Sequence, residues 1–116
     1  MLSEQEKHNL AMNIVGKDLE TRGFEFLAVN SKLNKNPQFV VLKDKIKYFV
    51  VVRAVEFPQP VQEYDRIFMK KIKDHADTFN AKTYYAGVGM GHGSNYENPI
   101  VKNEPYSYIY EGPQEV

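Results

Sequence analysis

Leu10, Ala11, Ile14, Val15 and Leu19 recur at helical spacing, one apolar stripe behind Ser3 and Glu6, which form a Ser-x-x-Glu capping signature. Arg22-Gly23 closes the stripe with a residue pair suited to a helix C-terminus. The spacing predicts an amphipathic helix over 3–22. Phe24, Phe26 and Ala28 then alternate with Glu25, Leu27 and Val29, a strand buried on one face and partly covered on the other. A polar, lysine-rich loop covers 30–36. Residues 38–42 and 46–55 are β-branched and aromatic runs flanking Lys43-Asp44-Lys45, a hairpin. Every position from Tyr48 to Val52 is apolar, which predicts a central strand covered on both faces. Pro58 and Pro60 stop it. Tyr64, Ile67, Phe68, Ile72, Ala76 and Phe79 form the apolar face of a second helix over 61–80. Lys82 to Val88 reads as a strand, and the alternation of Tyr106, Tyr108 and Tyr110 as a short tail strand.

The order is helix, strand, strand, strand, helix, strand, with a tail strand. It defines an α/β (α+β) fold with a mixed central sheet flanked by helices. The long helix after the third strand makes a crossover, so the fourth strand lies parallel to the third. With no internal repeat and no linker, the chain reads as a single domain over 1–116. Its core covers about 3–90, and 91–116 is a Gly/Tyr-rich C-terminal extension.

Composition narrows the chemistry. The hydrophobic fraction of 42% and charged fraction of 26% are those of a globular chain, so disorder is excluded. The absence of cysteine excludes disulfides, thiolate zinc sites and cysteine-bound iron–sulfur clusters. No basic n-region precedes an apolar stretch at the N-terminus, and Tyr48 to Val52 is too short to span a bilayer. A cytoplasmic protein without membrane insertion is expected. Net charge is zero, but unevenly spread. Lys32, Lys35, Lys43, Lys45, Lys47 and Arg53 outnumber acids in 31–53, whereas Glu97, Glu104, Glu111 and Glu115 outnumber bases after Gly91. A domain polarised in this way suits a homo-oligomer, a dimer being the simplest.

The element order over 3–90 resembles the core of the PD-(D/E)XK nuclease superfamily, with its restriction-endonuclease-like fold. The resemblance implies an Asp at the start of the second strand, then an acid-x-Lys near the end of the third, which hold a divalent metal and place the attacking water. Here those positions read Asn36-Pro37-Gln38 and Val51-Val52-Arg53. Gln38 is neutral, Val51 is no metal ligand, and Arg53 does not lose its proton at ordinary pH. The sequence therefore predicts a degenerate site with no catalytic residue and no metal. Glu56, just beyond the apolar run, is either a displaced ligand or a solvated strand-end acid.

The residues Gly23 to Asn30, Asn36 to Val40 and Tyr84 to Gly89 also look like a group of short bacterial proteins often labelled as the F component of Na(+)-translocating NADH-quinone reductase. That label implies a flavin, a cysteine-bound two-iron cluster and a nicotinamide domain. A cysteine-free chain of 116 residues carries none of these, so no cofactor is expected and only an association with such a reductase is left.

Gly87, Gly89, Gly91, His92 and Gly93 form a glycine-rich segment, read as a ligand loop or as a strand end leading to a mobile loop. It lacks the spacing of a dinucleotide or phosphate loop. His8 and His75 lie on the two predicted helices and are expected at the surface or its boundary. Lys43, Lys45, Lys47 and Arg53 are candidate contacts for an anion or a nucleic-acid backbone, the three lysines sharing one hairpin face by alternation. Lysines there also protect a sheet edge, and with zero net charge nucleic acid is not favoured. Tyr84, Tyr85, Tyr96, Tyr106, Tyr108 and Tyr110 suit an interface or a half-exposed sheet.

Three functional readings follow. The first is a non-catalytic, nuclease-like interaction or small-ligand-binding module that self-associates. The second is nucleic-acid backbone binding without cleavage. The third is an accessory to the reductase.

Overall fold

The structure is a computed structural model, and it describes residues 2–56, 59–92 and 106–116, the side chain of His92 apart. Helix α1 spans Glu4–Thr21. Its first turn is closed by the capping box foreseen from Ser3 and Glu6, each accepting a backbone N–H of the other. Gly23 ends it at φ 89°, a conformation open to glycine, while the Phe24 N–H donates to Leu19 and the Gly23 N–H to Glu20. Strands β1 (Glu25–Val29), β2 (Phe39–Lys43) and β3 (Ile46–Glu56) follow as an antiparallel meander. Helix α2 (Arg66–Asp77) then returns the chain to β4 (Ala81–His92), parallel to β3 from Lys47↔Ala81 to Glu56↔Met90. Strands β5 (Tyr106–Tyr110) and β6 (Gln114–Glu115) both pair antiparallel with β4. The sheet order is β1-β2-β3-β4-β5, so the described residues form a mixed, mostly antiparallel open sheet with two helices. No helix among the described residues is long and apolar enough to cross a membrane.

The two faces of the sheet carry different cores. Val50, Val52, Ala86 and Val88 meet Ala11, Met12, Val15 and Leu19 of α1. Val51 and Tyr85 meet Met69 of α2. Successive residues of a strand point to opposite faces, so the uninterrupted apolar run in β3 is what a strand roofed on both sides requires. Val51 and Val52 are both fully buried, each contributing about 1.5–3 kcal/mol.

Several expectations are corrected. Helix α2 begins at Arg66, not near 61, because Asp65 takes the N-cap and accepts the Phe68 N–H at 3.0 Å. Tyr64 still packs on this face, from outside the helix, its ring 5.0 Å from that of Tyr85. Ile67, assigned to the apolar face, is 76% exposed, since the helix turns it away from Met69 and Ile72. Strand β1 is mostly open: it is an end strand, a bulge between Phe26 and Ala28 breaks its alternation, and Leu27 and Val29 face solvent. Strand β4 does not stop at Val88 but continues through Gly89 and Gly91 to His92, paired with β3 as far as Met90 and with β5 as far as His92.

Candidate functional site

An interlocked polar cluster lies where β3 passes the start of β2. Strand β2 begins at Phe39, and the Gln38 N–H still donates to Val50 at 3.0 Å. One step further along β3, the Val52 N–H has no β2 carbonyl opposite it. The side-chain oxygen of Gln38 accepts it instead, at 2.8 Å. The Gln38 amide nitrogen donates to the Lys35 carbonyl at 2.9 Å and to Asn36 Oδ1 at 2.8 Å. Gln38 is fully buried, and all of its polar atoms are engaged, as burial requires.

Arg53 fills the gap beside it. One guanidinium nitrogen donates to the Val52 carbonyl at 2.8 Å and lies 3.4 Å from Gln38 Oε1. The other donates to Asn36 Oδ1 at 3.0 Å. The guanidinium lies 5.3 Å from the centre of the Phe68 ring on α2. Burial draws the Arg53 group below its ordinary range, opposed by Tyr85. Burial likewise pushes the Tyr85 hydroxyl up, opposed by the Arg53 charge.

Gly87 lies opposite Arg53 on β4. A Cβ at Gly87 would collide with the Val61 carbonyl oxygen. The glycine therefore lets the segment before α2 lie flat against β4, roofing the cluster. Gly87, Gly89 and Gly91, read as a ligand loop or as a strand end, are buried strand positions; the His92 side chain and Gly93 lie outside the described residues.

Other candidates disperse. Asp44 and Lys45 form the hairpin turn, both at positive φ. The turn carries the chain onto the next strand, so alternation in sequence no longer means a shared face. Lys43 packs 5.3 Å above the Phe24 ring, on the α1 side. Lys47 pairs with Leu42, on the α2 side. Arg53 sits near the opposite end of β3 and is bound internally. Lys43 and Lys47, which alternation put on one hairpin face with Lys45, lie on opposite faces of the sheet. Lys43 instead lines a cleft of about 290 Å³ with Arg22, Phe24, Tyr48 and Tyr84, where the two tyrosine rings stack at 4.8 Å.

Glu56 is exposed and ion-paired with Lys7 of α1, which also contacts Glu4 at 2.9 Å. Burial pulls the Lys7 ammonium down, but the bonds to Glu56 and Glu4 outweigh it and the net displacement is upward. Glu56 thus faces the α1 side, away from the Arg53 guanidinium over Phe68. No group of three His, Asp or Glu residues able to hold a metal occurs among the described residues.

The tyrosines divide. Tyr85 is buried, and the half-buried Tyr110 donates its hydroxyl to Asp18 Oδ2 at 2.9 Å. Tyr106 and Tyr108 are exposed on β5, and Tyr96 lies outside the described residues. His75, expected at the surface or its boundary, is exposed and meets the Phe79 ring edge-on, centroids 5.2 Å apart. His8 overturns its expectation: it is fully buried. The spacing of His8, Ala11, Val15 and Leu19 is that of one helix face, a signal present in the sequence.

A cleft of about 500 Å³ lies between α1 and β1, with Met12, Phe26 and Phe39 on its walls and Asn13 and Lys17 at its rim. None of the residues predicted as a site lines it.

What the fold and cluster define is a small α+β domain whose polar centre is closed by its own side chains. The chain belongs to the DUF8840 family, a domain of unknown function, whose profile matches residues 5–116. No curated protein matches it.

Proposed function

We propose that this domain acts by binding rather than by catalysis, as a nuclease-like scaffold that self-associates through the β5 end of its sheet. One observation carries the first half: Arg53 and Gln38 spend their hydrogen bonds on each other, on Asn36 and on the β3 backbone. A centre of that kind has no free base to activate water and no carboxylate to hold a metal. The helix and strand order, with β3 and β4 parallel around α2, supports the nuclease-like scaffold. Self-association is supported by β5, an end strand among the described residues, which exposes Tyr106, Tyr108 and Ile109. Tyrosine offers broad amphipathic contact area, and an open strand edge offers backbone donors and acceptors to a second copy. Dispersal of Lys43, Lys45 and Lys47 weighs against a nucleic-acid surface.

Two measurements test the proposal. The purified chain, incubated with DNA or RNA and magnesium or manganese, is expected to leave the substrate intact. Hydrolysis that disappears in Glu56→Gln would overturn the binding reading. Sedimentation equilibrium is expected to show a dimer, and a monomer throughout the micromolar range would remove self-association.

A further inference from the structure

His8 sits in the second turn of α1, on the stripe continued by Ala11, Val15 and Leu19. It is fully buried, and neither ring nitrogen has a hydrogen-bond partner among the described residues. A neutral imidazole tolerates this as a mainly apolar ring, whereas an imidazolium carries two N–H donors and a charge that both need acceptors. The charged groups around it do not supply them. On α1, Lys7 is a cation, and Glu4 is already in contact with it. On β3, Glu56 is bound to the same Lys7, and Arg53 is a second cation. Ahead of β2, Asn36 and Gln38 offer neutral amides engaged with Arg53 and with each other. From β4, the same core receives Ala86, Val88 and Met90.

We infer that His8 is an acid-operated latch: as a neutral ring it holds the first half of α1 on the sheet, and on taking up a proton it releases that half. Burial first, and the Arg53 charge second, hold the docked ring below the ordinary histidine range. In the released helix the ring meets water and titrates near pH 6.5. Between those two limits the open state binds one proton more than the docked state. Each unit of acidification there multiplies the open population by up to about tenfold. Two contacts oppose release: the Lys7–Glu56 pair, and Gln5, which donates to the Ser31 carbonyl and accepts the Leu33 N–H. Release uncovers the α1-facing side of β3 and β4, including Val52, Val88 and Met90. This inference is independent of the binding reading above.

Hydrogen–deuterium exchange of the full chain, corrected for intrinsic rates, tests the latch between pH 7.5 and 5.0. Protection of α1 is expected to fall by up to about tenfold per unit below pH 6.5, with α2 unaffected. In His8→Leu the dependence should be lost, since the Lys7–Glu56 pair is present in both proteins and its contribution cancels. Equal pH dependence in the two proteins, or none in the wild type, would overturn the latch. The wild-type chain alone gives a second readout by NMR, free of any folding defect in the variant. The His8 ring is expected to titrate below pH 6.5, and titration at or above that value would also overturn the latch.

Discussion

The side-chain oxygen of Gln38 lies 2.8 Å from the Val52 nitrogen, so a side chain continues the β2–β3 ladder one rung past the start of β2. Replacing Gln38 by Leu strands a buried N–H and removes a partner of Arg53. A loss of about 1–3 kcal/mol is expected, read as a lower urea midpoint at unchanged slope.

Two glycines should respond to alanine with opposite signs. At Gly87 the new Cβ meets the Val61 carbonyl, so the segment before α2 must move, at about 1–3 kcal/mol. At Gly16, inside α1, a Cβ makes ordinary contact with Phe39 at 3.5 Å. There alanine removes the entropic penalty of a helical glycine and stabilises by about 0.5–1 kcal/mol. Thermal unfolding of both variants checks the pair.

Tyr110 gives the fold an alkaline limit. Burial, then the bond to Asp18 and the charge of that residue, push its hydroxyl well above the ordinary tyrosine range. The folded state therefore holds a proton that the unfolded chain gives up near pH 10. The stabilisation is complete below pH 10 and is lost as pH rises beyond it. Tyr84 and Tyr85, also displaced upward mainly by burial, act in the same direction. The melting temperature is expected to drop between pH 9.5 and 11, and Tyr110→Phe should flatten part of that drop.

The orientation of α2 is testable with neighbouring positions. Met69 is buried against Val51 and Tyr85, so Met69→Ala should cost about 2–5 kcal/mol. Ile67 points to solvent, and Ile67→Asp should stay within about 0.5 kcal/mol.

On β5, Tyr108→Lys places a charge at an exposed position of an end strand among the described residues, without disturbing the core. The variant is expected to keep its melting temperature and to sediment as a smaller species than the wild type.

The sequence announced much of this fold, and the places where it did not have physical causes. Val51 and Val52 were legible as buried because an unbroken apolar run in a strand demands two roofs. Ser3 and Glu6 announced the start of α1, and both bonds of their capping box are present. The far half of β4 was not legible, since Gly87, Gly89 and Gly91 have no side chains with which to display alternation. Val61 and Tyr64 extended the helical pattern of α2 upstream, yet Asp65 ends it by capping. Lys43 and Lys47 alternate in the sequence, and the turn between them sends them to opposite faces. Of the candidate site, the resemblance set Asn36, Gln38 and Arg53 at one place, but the hydrogen bonds by which the first two close round the third join residues too far apart in sequence for a local pattern to encode.

The bond from Tyr110 to Asp18 joins residues 92 positions apart. A ribosome adding roughly 5–20 residues per second delivers the two ends of that bond about 5–20 s apart. For that interval the nascent chain carries α1 with its last turn still lacking this tie.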